Sequence, residues 1–198
     1  MTARRFFILI LLCMAFAIFD YYMCDLVAYQ LKVPLFCDMI FCMAMSFFAG
    51  PVWGIVVVCF NHLFDLIVSK SFVIFHIYMI TAFIGCSVVW FYKKRFIGSE
   101  LSSVKKMGHL LLLALIMCLV MSITGGLVSR FIDFVGVTNY SHQTDFLEKI
   151  FRLHIKSPLL NSIFIRIPVN LIDRIVTVFA AWGVFVVMQK VERKLLSR

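Results

Sequence analysis

The sequence predicts an all-α integral membrane protein: six transmembrane helices forming one domain over residues 1–198. Three observations predict it. Hydrophobic residues make up 63% of the chain and mean hydropathy is +1.02, whereas a soluble domain is roughly half apolar. The apolar residues gather into six runs bounded by Gly, Pro or charged clusters. Nearly all ionisable or amide side chains within those runs fall at the same end of the predicted bundle.

Span one covers about 6–24, beginning after Arg4 and Arg5 and ending in Asp20, Tyr21, Tyr22 and Asp25. No small-x-small cleavage site follows it, so it reads as an uncleaved first helix rather than a signal peptide. Span two covers 35–48 and is short for a bilayer crossing, which takes ~20 apolar residues. Gly50-Pro51 breaks the chain there, and span three (51–68) starts at once, giving a tight hairpin. Span four covers 72–92, span five 107–128 and span six 167–188. Gly125-Gly126 is expected to unwind the end of span five.

An even number of spans puts both termini on one side. That side carries Arg4, Arg5, Lys93, Lys94, Arg95, Lys105, Lys106, Lys190, Arg193, Lys194 and Arg198, eleven of the nineteen Lys and Arg residues. The bias predicts cytoplasmic termini in a cell-membrane protein. Between spans five and six lies an outer segment, 131–166. Thr144-Asp145 caps a predicted helix whose Phe146, Leu147, Ile150, Phe151 and His154 share a face. It reads either as an interfacial helix or as a lid over a pocket.

The formal net charge of +9 sits mostly at span ends, where cations meet lipid headgroups, so nucleic acid is not an expected partner. The seven cysteines include no CxxC pair and mostly lie in apolar runs, where a thiol acts as a small hydrophobe. No phosphate-binding Gly-rich loop, GxSxG or HExxH motif occurs, so no enzyme activity and no cofactor are expected.

With this orientation, the polar side chains collect near the outer surface. Asp20 ends span one, and Asp38 opens span two. Asn61, His62 and Asp65 lie in the outer third of span three. His76 and Tyr78 open span four, Thr124, Arg130 and Asp133 close span five, and Asn170, Asp173 and Arg174 open span six. Asn61 and Asp65 share a helix face, as do Asn170 and Arg174. Charges and amides in a membrane usually face a cavity or one another. A pocket built from Asp38, Asn61, His62, Asp65, His76, Arg130, Asn170, Asp173 and Arg174 would suit a planar, hydrogen-bonding small molecule. The competing reading pairs these groups among themselves and locks the bundle. His62, Asp65 and His76 also have the chemistry of divalent-metal ligands, but their spacing is not diagnostic and no metal is assigned.

Two stretches carry a family resemblance. The segment 47–54, Phe-Phe-Ala-Gly-Pro-Val-Trp-Gly, runs on to Asn61-His62-Leu63-Phe64-Asp65. The closing segment 167–174, Ile-Pro-Val-Asn-Leu-Ile-Asp-Arg, precedes an apolar helix and a basic tail. Both resemble S components, the substrate-binding membrane subunits of energy-coupling factor (ECF) transporters, which also have six helices in about this length. The resemblance implies capture of a vitamin or related micronutrient from outside. It implies two kinds of partner: a transmembrane coupling subunit, and a pair of cytoplasmic ATPases that drive reorientation and release. It also implies a small-residue docking surface, for which Ala15, Ala17, Gly50 and Gly54 are the candidates, with Ala180, Ala181 and Gly183 behind them. The alternatives are a membrane-embedded sensor working with a separate signalling partner, and a structural membrane protein.

Overall fold

A computed structural model describes residues 3–31, 33, 35–68, 73–98, 100–136 and 155–196. Every element among the described residues is helical. Helix α1 (Ala3–Cys24) runs into a π-helical turn, Asp25–Gln30. Helices α2 (Ile40–Ala49) and α3 (Pro51–Val68) form the expected hairpin. A 3₁₀ stretch, Val73–Tyr78, leads into α4 (Met79–Phe96). Helices α5 (Ser103–Phe134), α6 (Pro158–Phe164) and α7 (Arg166–Leu196) complete the chain.

The hairpin turns on Gly50 and Pro51. Gly50 adopts φ +107, a conformation other residues rarely hold, and its N–H closes α2 on Ser46 O at 3.2 Å. Pro51 then opens α3, where the missing N–H removes a donor that the first helical turn leaves unpaired anyway.

Helix α2 is the centre of the bundle, packed against α1, α3, α4 and α7, while α5 bridges α4 and α7 and carries α6. Seven of the ten α2 residues are buried, among them Met43, Met45 and Phe47. Phe47 meets Trp182 edge-on, with ring centroids 5.4 Å apart. Gly54 lets α3 approach α2 closely. A Cβ there would stand 1.9 Å from Ser46 Oγ and 2.7 Å from the Cys42 carbonyl oxygen. All seven cysteines are free.

The outside is as apolar as the inside. Phe7, Leu11, Ile67, Phe91, Leu119 and Val187 are all exposed. Helices apolar on every face are solvated by lipid rather than water. Four stretches are long and apolar enough to cross a bilayer: Ala3–Val27, Pro51–Val68, Ser103–Phe134 and Pro158–Lys194. The chain is thus a multi-pass membrane protein.

The sequence predicts six crossings, and two segments fall short for different reasons. Helix α2 has ten residues, about 15 Å of rise against a hydrocarbon core of ~30 Å. Helix α4 has 18 residues, but Lys93, Lys94 and Arg95 occupy its last turn. Of the helices that do qualify, α3 keeps its expected limits, while α5 outruns them by a turn or more at each end.

Gly125-Gly126 does not unwind α5, which stays helical to Phe134. Gly126 instead makes room for α6: a Cβ would lie 2.7 Å from Ile163 Cγ1 and 3.2 Å from the Ile163 backbone. The amphipathic helix expected over 144–154 lies outside the described residues.

Candidate functional site

The short central helix fixes where the polar groups go. Its N-cap residue, Met39, has no capping side chain. The unpaired amides at this buried end therefore need a partner from elsewhere. Asp20, from α1, supplies it. Its Oδ1 accepts from Phe41 N–H and its Oδ2 from Cys42 N–H, both at 3.1 Å. The carboxylate is 1% exposed and sits at the positive end of the helix dipole.

A second carboxylate organises the segment leading into α2. Asp173 of α7 accepts from Phe36 N–H and Cys37 N–H, both at 2.9 Å on Oδ1. Cys37 is held at φ 49, the left-handed region that costs a side chain energy. Strained backbone of this kind clusters at functional sites. The other oxygen of Asp173 ion-pairs with Nη2 of the neighbouring Arg174. The same nitrogen reaches Asp38 Oδ1 at 3.3 Å. The Asp173 and Arg174 side chains are 0% and 2% exposed, whereas Asp38 is 46% exposed. The cluster is therefore sealed at α7 and open at Asp38. One turn before Arg174, Asn170 donates from Nδ2 to Ser122 Oγ on α5 at 2.9 Å.

A neighbouring group stands on α3. Asn61 Nδ2 donates to the Ala17 carbonyl at 3.2 Å, tying α3 to α1. His62 Nδ1 lies 3.0 Å from His76 Nδ1, so one ring carries the hydrogen and the other accepts it. Asp65 is half-buried, three residues further along α3. On the same side of the bundle, Arg166 Nη2 donates to Tyr78 Oη at 3.1 Å.

The structure thus brings Asp38, Asp173 and Arg174 into one cluster, with Asn170 a turn away, and pairs His62 with His76. It does not bring Arg130 to them. Arg130 spends its guanidinium on Asp133, 2.9 Å away on its own helix. Among the docking candidates, Ala17 is 1% exposed and Gly54 is packed on α2, so both are used inside the bundle. Ala15 and Gly50 are half-buried. Among the described residues no three His, Cys, Asp or Glu gather as metal ligands.

Several participants were not singled out by sequence. Ser122 and Thr177 look like ordinary small residues within apolar runs. Lys93 looks like one more headgroup contact, yet its Nζ turns inward to the Phe47 carbonyl at the far end of α2 and lies 4.4 Å from the Phe185 ring centroid. An expected break at Gly50 just after Phe47 is the signal that an exposed helix end, and hence a cap, sits there.

The opposite end of the bundle is plainer. Tyr92 Oη lies 3.1 Å from His109 Nδ1, and Arg5 pairs with Glu192 at 2.9 Å on the surface. Fold and site define a multi-pass membrane protein with a buried ionic cluster at one end. No family model, no curated protein and no solved structure matches the chain.

Proposed function

We propose that this chain is the substrate-binding subunit of an ECF-type uptake system, with six membrane-crossing segments and both termini in the cytoplasm of the cell. It takes a vitamin-like micronutrient from outside and works with a transmembrane coupling subunit and two ATPases. Sequence resemblance at 47–65 and 167–174 motivates the reading. The observation that carries it is the ionic cluster of Asp38, Asp173 and Arg174. It joins α7 to the segment before α2, is buried on one side and reaches the surface through Asp38. A bilayer-embedded bundle has little reason to keep such a costly group unless it serves recognition or specificity. The short α2 fits the same reading, because its early end leaves room for polar groups at membrane depth.

A structural role is the second reading, and one observation favours it. Both oxygens of Asp20 and one of Asp173 are committed to backbone amides. Affinity purification from the native membrane in mild detergent separates the two. Uptake predicts that a coupling subunit and two ATPases co-purify and that ATP hydrolysis follows substrate addition. A chain that purifies without any ATPase, and whose deletion leaves uptake of every micronutrient unchanged, is structural.

A further inference from the structure

Six buried side-chain polar atoms among the described residues lack a hydrogen-bond partner, and four of them lie between Asp173 and Thr177. One, Asp173 Oδ2, is ion-paired with Arg174. The other three are Arg174 Nε, Arg174 Nη1 and Thr177 Oγ1. Their residues are 2% and 0% exposed and share a face of α7, three positions apart. Buried donors left unpaired in a cluster call for an acceptor that the protein itself does not supply. The hydroxyl of Thr177 is telling. Ser46, Ser87 and Thr124 each bond the carbonyl four residues back in their own helices, at 2.7–2.9 Å. Thr177 does not, so its oxygen is left for another partner.

The charges narrow what that partner is. Arg174 faces two carboxylates. Asp173 is bound by two N–H groups as well as by the guanidinium, and Asp38 is half-exposed to solvent. Two carboxylates thus face one guanidinium, so by formal charge the cluster holds one negative charge in excess. A second anion brought to the cluster would meet that excess across a poorly screened distance.

Resting on the reading above, we infer that the substrate is an uncharged or cationic molecule, not an anion. It presents a carbonyl or ring-nitrogen acceptor to Arg174 and Thr177, and an N–H or O–H donor to Asp38. Arg174 is the donor that reads the acceptor, and Asp38 is the gate that rejects carboxylates.

The test uses the purified full chain in detergent and matched probes that exchange a carboxylate for a neutral amide or alcohol: nicotinamide with nicotinate, pantothenol with pantothenate, and biotin amide with biotin, plus thiamine as a cation. Thermal shift finds the binders, and titration calorimetry ranks them. The uncharged or cationic member of a binding pair should win by about tenfold or more, the scale of one partly screened like-charge contact. Asp38→Asn, at a half-exposed position, should shrink that gap by raising the affinity of the carboxylate member. Preference for the carboxylate, or a gap unchanged in Asp38→Asn, overturns the inference and leaves the uptake reading standing. If no probe shifts the wild-type chain, the uptake reading fails and the inference falls with it.

Discussion

Asp20 on α1 and Lys93 on α4 hold opposite ends of the same ten-residue helix. The carboxylate takes the N–H groups of Phe41 and Cys42, and the ammonium takes the carbonyl of Phe47. Each charge has the sign that the local helix terminus prefers. A helix this short, set inside an apolar bundle, exposes its unpaired ends to a medium that offers no water. The two foreign caps are what allow α2 to be short, and its shortness is what gives the ionic cluster a place.

Removing the acceptor should therefore cost more than a surface cap does. Asp20→Ala orphans two buried amides, at about 1–3 kcal/mol each, and should lower the unfolding midpoint in detergent by several degrees. Asp20→Asn keeps one acceptor oxygen and should recover about half the loss. Equal midpoints for wild type and Asp20→Ala would contradict the capping role.

The two small-residue contacts on α3 and α4 should respond differently. Gly54→Ala sets its methyl against Ser46 Oγ and the Cys42 carbonyl, a backbone atom that cannot swing away. Gly85→Ala meets flexible methionine side chains, with Met39 Cε at 2.9 Å, Met117 Cε at 3.0 Å and Met121 Sδ at 3.5 Å. The first should destabilise by about 1–3 kcal/mol, as overpacking does, and the second by less. Thermal unfolding of the two variants side by side measures the difference.

Breaking the ion pair on one side should be worse than removing it whole. Asp173→Asn or Arg174→Met alone strands a buried partner, at about 3–5 kcal/mol. The double variant should regain a good part of that loss. Because Asp173 also holds the Phe36 and Cys37 amides, Arg174→Met should be the milder single change. Chemical denaturation of the four chains closes the cycle.

The His62–His76 contact should appear as a coupling of about 0.5–1.5 kcal/mol in a cycle of His62→Ala and His76→Ala, the usual worth of one net hydrogen bond. Additive losses would mean that the rings do not share a proton in solution.

Hydropathy made the long helices legible, because α1, α3, α5 and α7 are apolar on every face and need no partner to be recognised. It left α2 and α4 less legible as crossings, since an apolar run does not reveal where the chain stops being helical, and α4 carries three basic residues in its last turn. The one-sided polar set was legible as composition. Which members meet was not. Its place at the outer end of span five suggested that Arg130 would join the pocket, but Arg130 pairs instead with an aspartate three residues on. Asp20 was legible only as one member of the outer polar set, because nothing local announces that an amide 21 residues later will need it. Gly125-Gly126 carried the right signal, a need for no side chain, with the wrong cause: close approach of α6 rather than a break.

The most direct measurement is mass spectrometry of the small molecules released when the protein, purified from its native host, is denatured. The expected result is one uncharged or cationic compound, near one per chain, and reduced in Asp38→Asn. Recovery of no compound, together with unchanged thermal stability across a full micronutrient panel, would leave Asp38, Asp173 and Arg174 as a structural lock and contradict their role in recognition.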